Sequence, residues 1–262
     1  MRISAPEKPA EPVPAAQAVN SPAAESSHET AAPYPHTATV SEADYMEHYA
    51  HARCEWVKGV LIPMSPVRLR HDQIDSYLRR LLEAYLSVNT IGIVVGAPFV
   101  MRLDVQESRR EPDLQIILEG NPGTLTDTAM VGAADICVEI VSEESTSRDY
   151  GDKFNEYEAG GVREYWIIDP VRQEYRFFRL TDAKRCASQP LDAADNYRTP
   201  LLPGLAVHVP TLWSDPLPGY FAIADAMKAM LTGQAQRTYG TRQTFTPARS
   251  KNGSSRAASV FR

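Results

Sequence analysis

The sequence predicts an α/β fold in which helices flank a mixed β-sheet and a β-hairpin precedes it. Residues 65–87 place apolar side chains at the i, i+3, i+4, i+7 spacing of an amphipathic helix. Three short apolar segments, 112–118, 135–141 and 164–169, have the length and composition of buried strands. Helical segments alternate with these strands, which is the pattern of an α/β domain.

The ends of the 262-residue chain differ in composition from its middle. Residues 1–40 are rich in Pro and Ala and poor in large apolar residues, so we predict a disordered tail there. Residues 232–262 contain six bases and no acid, and we predict a disordered basic tail. The folded domain is therefore expected at residues 41–231.

Charge and composition limit the classes of function. The net charge is −6, and the middle segment alone carries −10, which is unusual for a protein that binds nucleic acid. No apolar run approaches the roughly 18 residues of a membrane span, so we expect no membrane association. The three cysteines are far apart and form no CxxC pair, and residues 1–40 lack a secretory signal. We predict a cytoplasmic protein.

The first half of the chain predicts six elements before residue 112. A helix capped by Ser41 opens the domain, and strands 54–57 and 60–64 form a hairpin around Lys58-Gly59. The long helix 65–87 follows. Strands 91–95 and 99–103 are then joined by a short turn, and residues 104–110 are predicted to be a polar turn.

The second half begins with strand 112–118 and a Gly/Pro/Asn-rich loop at 119–128. Strand 135–141 leads into a helix at 149–159, which Gly160-Gly161 should end. Strand 164–169 is followed by strand 174–180, which is expected to pair back on it. A short edge element and a final helix at 220–231 complete the domain.

Two carboxylates stand out in the predicted sheet. Asp113 opens the strand at 112–118, and Glu139 lies late in an apolar strand, where a buried charge needs a partner. If the strands are neighbours, the two acids converge and could share Mg²⁺ or Mn²⁺ with a substrate phosphate. Taken singly, Asp113 also suits a turn and Glu139 an edge strand.

A lysine and three supporting residues complete the candidate site. Lys153 lies in the helix after Glu139 and could assist a water molecule, although a surface ion pair with Asp149 is the simpler interpretation. Tyr157 is one helical turn further on the same face. Gln115 shares the strand face of Asp113. His71 could also support the site, although a histidine on an apolar helix face is more often a packing residue.

These residues occur in motifs that resemble those of the Uma-type restriction endonuclease family, a bacterial family within the PD-(D/E)XK nuclease superfamily. The shared motifs cover about residues 40–213. They are Cys54-Glu55-Trp56, Gly59, Met64-Ser65-Pro66, His71, Glu111-Pro112-Asp113, Val138-Glu139, Ser145-Thr146, Asp149, Lys153, Tyr157, Gly161 to Pro170 and Leu202 to Leu205.

The resemblance implies a restriction-endonuclease-like sheet flanked by helices and a nuclease that requires Mg²⁺ or Mn²⁺ and acts on DNA. It implies Glu55, Asp113 and Glu139 as metal ligands and Lys153 as the catalytic lysine. The superfamily's lysine usually lies two residues after the second acid, where this chain has Val141. The resemblance also suggests a homodimer.

Two hypotheses follow from the sequence. The first is a metal-dependent endonuclease acting on DNA, and the second is a nuclease-like module that binds or regulates without turnover. The acidic middle of the chain and Val141 favour the second. Nothing in the sequence separates DNA from RNA as a substrate.

Overall fold

The computed structural model describes residues 39–50 and 52–242, with side chains as far as residue 232. The chain divides into two units, and all described residues belong to the second, His36–Arg262. The predicted tail at 1–40 lies almost wholly outside the described residues. None of the helices in the described part of the chain has the length and apolar character that crossing a bilayer requires.

Fourteen strands and four α-helices make up the described chain. The strands are β1 Cys54–Val57, β2 Val60–Pro63, β3 Gly92–Gly96, β4 Val100–Leu103, β5 Ser108–Arg110, β6 Leu114–Leu118, β7 Thr124–Leu125, β8 Ala129–Val131, β9 Ile136–Ile140, β10 Glu164–Asp169, β11 Glu174–Leu180, β12 Cys186–Ser188, β13 Asn196–Tyr197 and β14 Val207–His208. The helices are α1 Glu42–Asp44, α2 Leu69–Val88, α3 Lys153–Gly160 and α4 Tyr220–Arg242. Two π-helical segments, Tyr45–Tyr49 and Arg148–Asp152, adjoin α1 and α3, and 3₁₀ turns lie at Asp104–Gln106 and Val209–Trp213.

The central sheet has six strands in the spatial order β12-β11-β10-β9-β6-β3. Strands β9 and β10 are parallel and connected through α3, whereas β6 is antiparallel to β9. All residues of β9 and β10 are buried, because helices cover one face of this sheet and a second layer covers the other. This double burial explains why both strands read as continuous apolar runs.

The second layer is another six-stranded sheet, with the order β2-β1-β5-β4-β8-β7. Its edge is the predicted hairpin β1–β2. The two residues between these strands, Lys58 and Gly59, have φ values of 49° and 84°, as a tight hairpin turn with two left-handed residues requires. The predicted fold class is thus confirmed, and the hairpin belongs to a full second sheet instead of standing alone.

Two of the apolar cores lie against the two faces of the central sheet. On one face of the central sheet, residues such as Ile116, Val138 and Trp166 pack with the apolar stripe of α2 and with α4. On the other face, Cys137 and Ile167 pack with Met101 and Met130 of the second sheet and with α3. The site described below lies at one end of this second core.

Several predicted boundaries were wrong. Helix α2 begins at Leu69 and not at residue 65, because the chain stays extended as far as its N-cap, Arg68, at φ −83° and ψ 148°. Residues 104–110 contain a 3₁₀ turn and strand β5, and the loop at 119–128 contains β7. The final helix runs to Arg242 instead of ending at residue 231, so the first part of the predicted basic tail is helical.

Candidate active site

Strand pairing brings Asp113 and Glu139 together. Leu114 of β6 lies opposite Val138 of β9, and the antiparallel register places Asp113 opposite Glu139 one residue further on. The Oδ2 atom of Asp113 accepts a hydrogen bond of 2.6 Å from the amide of Ile140. The side chains are 12% and 3% exposed, respectively, so both acids are largely withdrawn from water.

Helix α3 supplies two partners to the carboxylate of Glu139. The Nζ atom of Lys153 lies 2.9 Å from Oε2, and the hydroxyl of Tyr157 donates to Oε1 over 2.8 Å. Lys153 and Tyr157 are one turn apart, so a single helix face directs both towards β9. Gly161, at φ 89°, ends this helix and returns the chain to β10.

The lysine contacts three carboxylates. Besides Glu139, Lys153 Nζ lies 3.3 Å from Glu55 Oε1 and 3.5 Å from Asp149 Oδ1. The lysine side chain is 5% exposed, so the pair with Asp149 is buried and not the surface pair considered from the sequence. Lys153 is therefore the centre of a cluster of acids from three separate segments.

Glu55 is fixed on its other side by an arginine. Arg110 Nη1 lies 2.8 Å from Glu55 Oε2, and the backbone amide of Glu111 donates to Oε1 over 3.1 Å. Arg110 also binds both oxygens of Glu156 in α3, with Nε–Oε2 and Nη2–Oε1 distances of 2.9 and 2.6 Å. This bidentate pair ties α3 to the second sheet.

The cluster has more carboxylates than cations. Burial, together with the charges of Asp149, Asp113 and Glu55, raises the pKa of Glu139 well above its usual value despite the contact with Lys153. Burial tends to lower the pKa of Lys153, but its three carboxylates raise it well above the usual value. Although burial opposes it, Lys153 and Arg110 hold the pKa of Glu55 below its usual value. Extra positive charge at the cavity would stabilise the ionised form of Glu139.

His71 lies on the far side of Asp113. Its Nε2 atom is 3.2 Å from Asp113 Oδ2, and its Nδ1 atom is buried without a hydrogen-bond partner among the described residues. Burial lowers the pKa of His71, but the bond and charge of Asp113 raise it above the usual value overall. His71 therefore contacts the site, whereas Gln115 donates to the carbonyl of Phe99 and does not line the cavity described next.

A cavity of about 90 Å³ lies over the acids. Its lining includes Glu55, Asp113, Glu139, Asp149 and Lys153. This volume is enough for several water molecules or for an ion with part of its hydration shell.

The donor set fits a hard divalent cation held by two protein ligands. Asp113 and Glu139 are adjacent carboxylates, and Mg²⁺ is commonly held by one or two carboxylates together with water and substrate phosphate. Among the described side chains, residues 39–50 and 52–232, no group of three or more acidic, histidine or cysteine side chains is arranged to hold a metal. The predicted third ligand, Glu55, contacts Arg110, Lys153 and the amide of Glu111, and its role as a ligand stays a prediction.

Residues 42–210 match the family model Uma2, described as "Putative restriction endonuclease". The matched segment is more than half of the chain and contains every residue of the site. The chain belongs to the Uma2 family.

The fold of this Uma2 domain is also found in a solved structure. A crystal structure described as "a putative nuclease belonging to DUF820", from Anabaena variabilis ATCC 29413, superposes with a TM-score of 0.52 at 16% identity. The similarity covers 61% of this chain and 89% of the other. At this identity the comparison establishes the fold. A comparison with curated proteins gave no match.

The Uma2 structure therefore brings Glu55, Asp113, Glu139, Lys153 and Tyr157 together, with His71 beside them. The sequence did not single out Arg110, because it lies in a segment predicted to be a polar turn. Its signal was two consecutive arginines immediately before Glu111-Pro112-Asp113.

Proposed function

We propose that this Uma2 protein is an endonuclease that uses Mg²⁺ or Mn²⁺ to hydrolyse phosphodiester bonds of DNA. The observation that carries the proposal is the placement of Asp113 opposite Glu139 on neighbouring strands, with Lys153 within 2.9 Å of Glu139. The family and the solved structure both support a nuclease.

Asp113 and Glu139 would hold the cation. Its chemistry would be to lower the pKa of a bound water and to stabilise the charge that develops on the phosphate oxygens. Ile140 and His71 fix the orientation of Asp113 through their contacts with Oδ2. Tyr157 fixes that of Glu139, so both carboxylates are set before the substrate binds.

Lys153 would act from the helix in place of a lysine on β9. Its ammonium group is held by three carboxylates, and its raised pKa keeps it charged at neutral pH. A fixed positive charge beside the phosphate stabilises negative charge in the transition state. Glu55, itself held by Arg110, acts in this scheme as the residue that positions Lys153.

Plasmid cleavage with Mg²⁺, with Mn²⁺ and with EDTA tests the proposal. Wild type, Asp113→Asn and Glu139→Gln are compared with Glu174→Gln, which changes a half-exposed acid on β11, away from the cavity. We expect metal-dependent cleavage that both site variants lose and the control retains, with circular dichroism unchanged. Full activity of either site variant would contradict the proposed roles.

One observation favours a nuclease-like module without turnover. Both oxygens of Glu139 already have protein partners, Lys153 and Tyr157, and the described residues contain no preformed cage of three metal ligands. Calorimetric titration with Mn²⁺ separates the two functions. A folded protein that neither cleaves DNA nor binds Mn²⁺ supports the inert module. Mn²⁺ binding without cleavage supports the metal site but contradicts DNA as the substrate.

A further inference from the structure

Cationic side chains surround the acids at the cavity. The lining contains five basic residues, namely Arg53, Arg68, His71, Arg148 and Lys153. The chain is acidic as a whole, with a net charge of −6, and these five residues share the lining with the acids Glu55, Asp113, Glu139 and Asp149.

Three of these five residues have acidic partners. Arg68 lies 2.9 Å from Glu143 and 2.8 Å from Glu144. His71 contacts Asp113, and Lys153 contacts the buried acids described above. Their charges are largely balanced within the protein.

Arg53 and Arg148 differ from the other three. Within the described residues, neither forms an ion pair with a carboxylate. Arg53 Nη2 donates to the carbonyl of Ser65 over 3.2 Å. The Nε atom of Arg148 is buried and has no hydrogen-bond partner in the part of the chain that the structure describes. A guanidinium has five N–H donors in a planar fork, so both side chains retain unused donors beside the cavity.

The backbone fixes both arginines next to the acids. Arg53 directly precedes β1, the strand of Glu55, and adopts a left-handed φ of 53°, which is unfavourable for a residue with a side chain. Such strain tends to persist at functional sites. Arg148 opens the π-helical segment Arg148–Asp152 that leads into the helix of Lys153.

We propose that Arg53 and Arg148 form a clamp that binds backbone phosphates of a nucleic-acid strand at the acidic centre. The proposal rests on the proposed function and adds the residues that hold its substrate. Guanidinium groups bind phosphate through paired, charge-assisted hydrogen bonds. The clamp gives an acidic chain a local site for a polyanion, because two guanidinium groups without carboxylate partners lie at the cavity where the phosphate would enter.

The two arginines contact different parts of the strand. Arg148 lines only the cavity above the acids, so it binds the phosphate located there. Arg53 lines this cavity and a neighbouring one of about 350 Å³. It therefore binds an adjacent phosphate, and the strand runs from one cavity into the next.

Fluorescence anisotropy with a labelled DNA duplex tests the clamp, in EDTA and again with Ca²⁺ over a range of salt concentrations. The variants are Arg53→Gln and Arg148→Gln. The controls are Arg68→Gln, an arginine at the same opening that is already paired, and Arg176→Gln, an exposed arginine on β11. All four remove one positive charge, and thermal unfolding checks that each variant is folded.

We expect Arg53→Gln and Arg148→Gln each to weaken binding roughly tenfold, and to reduce the slope of log K against log salt by about 0.9 per lost phosphate contact. Both controls should change binding much less. The clamp is overturned if wild type does not bind the duplex, or if the two variants match Arg176→Gln in both affinity and salt slope. Binding is measured without hydrolysis, so loss of binding in the variants supports the clamp even if the protein cleaves nothing.

Discussion

Replacing Glu111 with glutamine should stabilise the protein at alkaline pH. Glu111 is 1% exposed, its Oε2 atom has no hydrogen-bond partner among the described residues, and its Oε1 atom is 3.4 Å from the hydroxyl of Tyr45. Burial, followed by the negative charge of Glu55, raises the pKa of Glu111 from 4.5 to about 8. Ionisation of this side chain therefore opposes folding.

The sign and size of the effect follow from proton linkage. The folded protein binds the Glu111 proton more tightly than the unfolded chain does, so stability is lost as pH rises from about 4.5 to about 8. One pH unit across this interval corresponds to about 1.4 kcal/mol, which gives a total of about 5 kcal/mol as an upper limit. Glutamine has the shape of the protonated acid and does not ionise, so the variant avoids this loss.

Urea unfolding of wild type and Glu111→Gln in EDTA, between about pH 5 and pH 8.5, measures the effect. The difference in free energy of unfolding should widen by about 4 kcal/mol across this range in favour of the variant. Glu83→Gln, on the exposed face of α2, is the matched surface control. A difference that stays constant with pH would refute the reasoning, because it would mean that Glu111 ionises equally in both states.

Three further predictions concern residues around the acids. Arg110→Met leaves buried carboxylates without their partner, and should lower the free energy of unfolding by about 3–5 kcal/mol in urea titrations. Gly96→Ala places a methyl group 2.9 Å from the backbone oxygen of Asp113 and against the guanidinium of Arg79. This variant should lower the free energy of unfolding by about 1–3 kcal/mol in the same assay. Its rate of DNA cleavage should fall by more than the loss of folded protein accounts for. Tyr157→Phe removes one hydrogen bond from Glu139, and kcat for DNA cleavage should fall about tenfold with KM little changed. Wild-type kcat in the Phe variant, or unchanged unfolding in the other two, would contradict these assignments.

Strands that are buried on both faces could be predicted from the sequence, because each is a continuous run of apolar residues. Strand β10 has the predicted bounds, Glu164–Asp169, and β9 differs from its prediction by one residue at each end. Both are covered on two faces, so nearly every side chain is apolar and the run itself marks the strand. The hairpin turn at Lys58-Gly59 was equally local, because a glycine between two short apolar segments supplies the positive φ that a tight hairpin turn requires.

Strand β5 could not be found in this way. Its residues, Ser108–Arg110, are polar but fully buried, because their partners come from distant parts of the chain. Ser108 and Arg110 both bind Glu156, more than 40 residues further along. A polar sequence pattern normally indicates a solvated turn, and only the folded structure shows that the charges are neutralised inside.

The candidate site also has one feature that could be predicted from the sequence and one that could not. The convergence of Asp113 and Glu139 could be predicted from strand alternation, since it requires only that the two strands be neighbours. The engagement of Glu55 by Arg110 could not, because it depends on how the second sheet packs against the first. The metal-binding and catalytic roles stay predictions until cleavage and metal binding are measured.

The acidic centre is assembled from parts of the chain that are far apart in sequence. Glu55, Asp113, Glu139 and Lys153 span about a hundred residues and come from both sheets and one helix. Closing loops of this length is entropically costly, so these contacts form only once most of the domain has folded. The amide of Ile140, bonded to Asp113, should therefore exchange its hydrogen with solvent only through global unfolding. A partly folded chain, such as one still emerging from the ribosome, would contain the acids of this centre without the geometry that unites them.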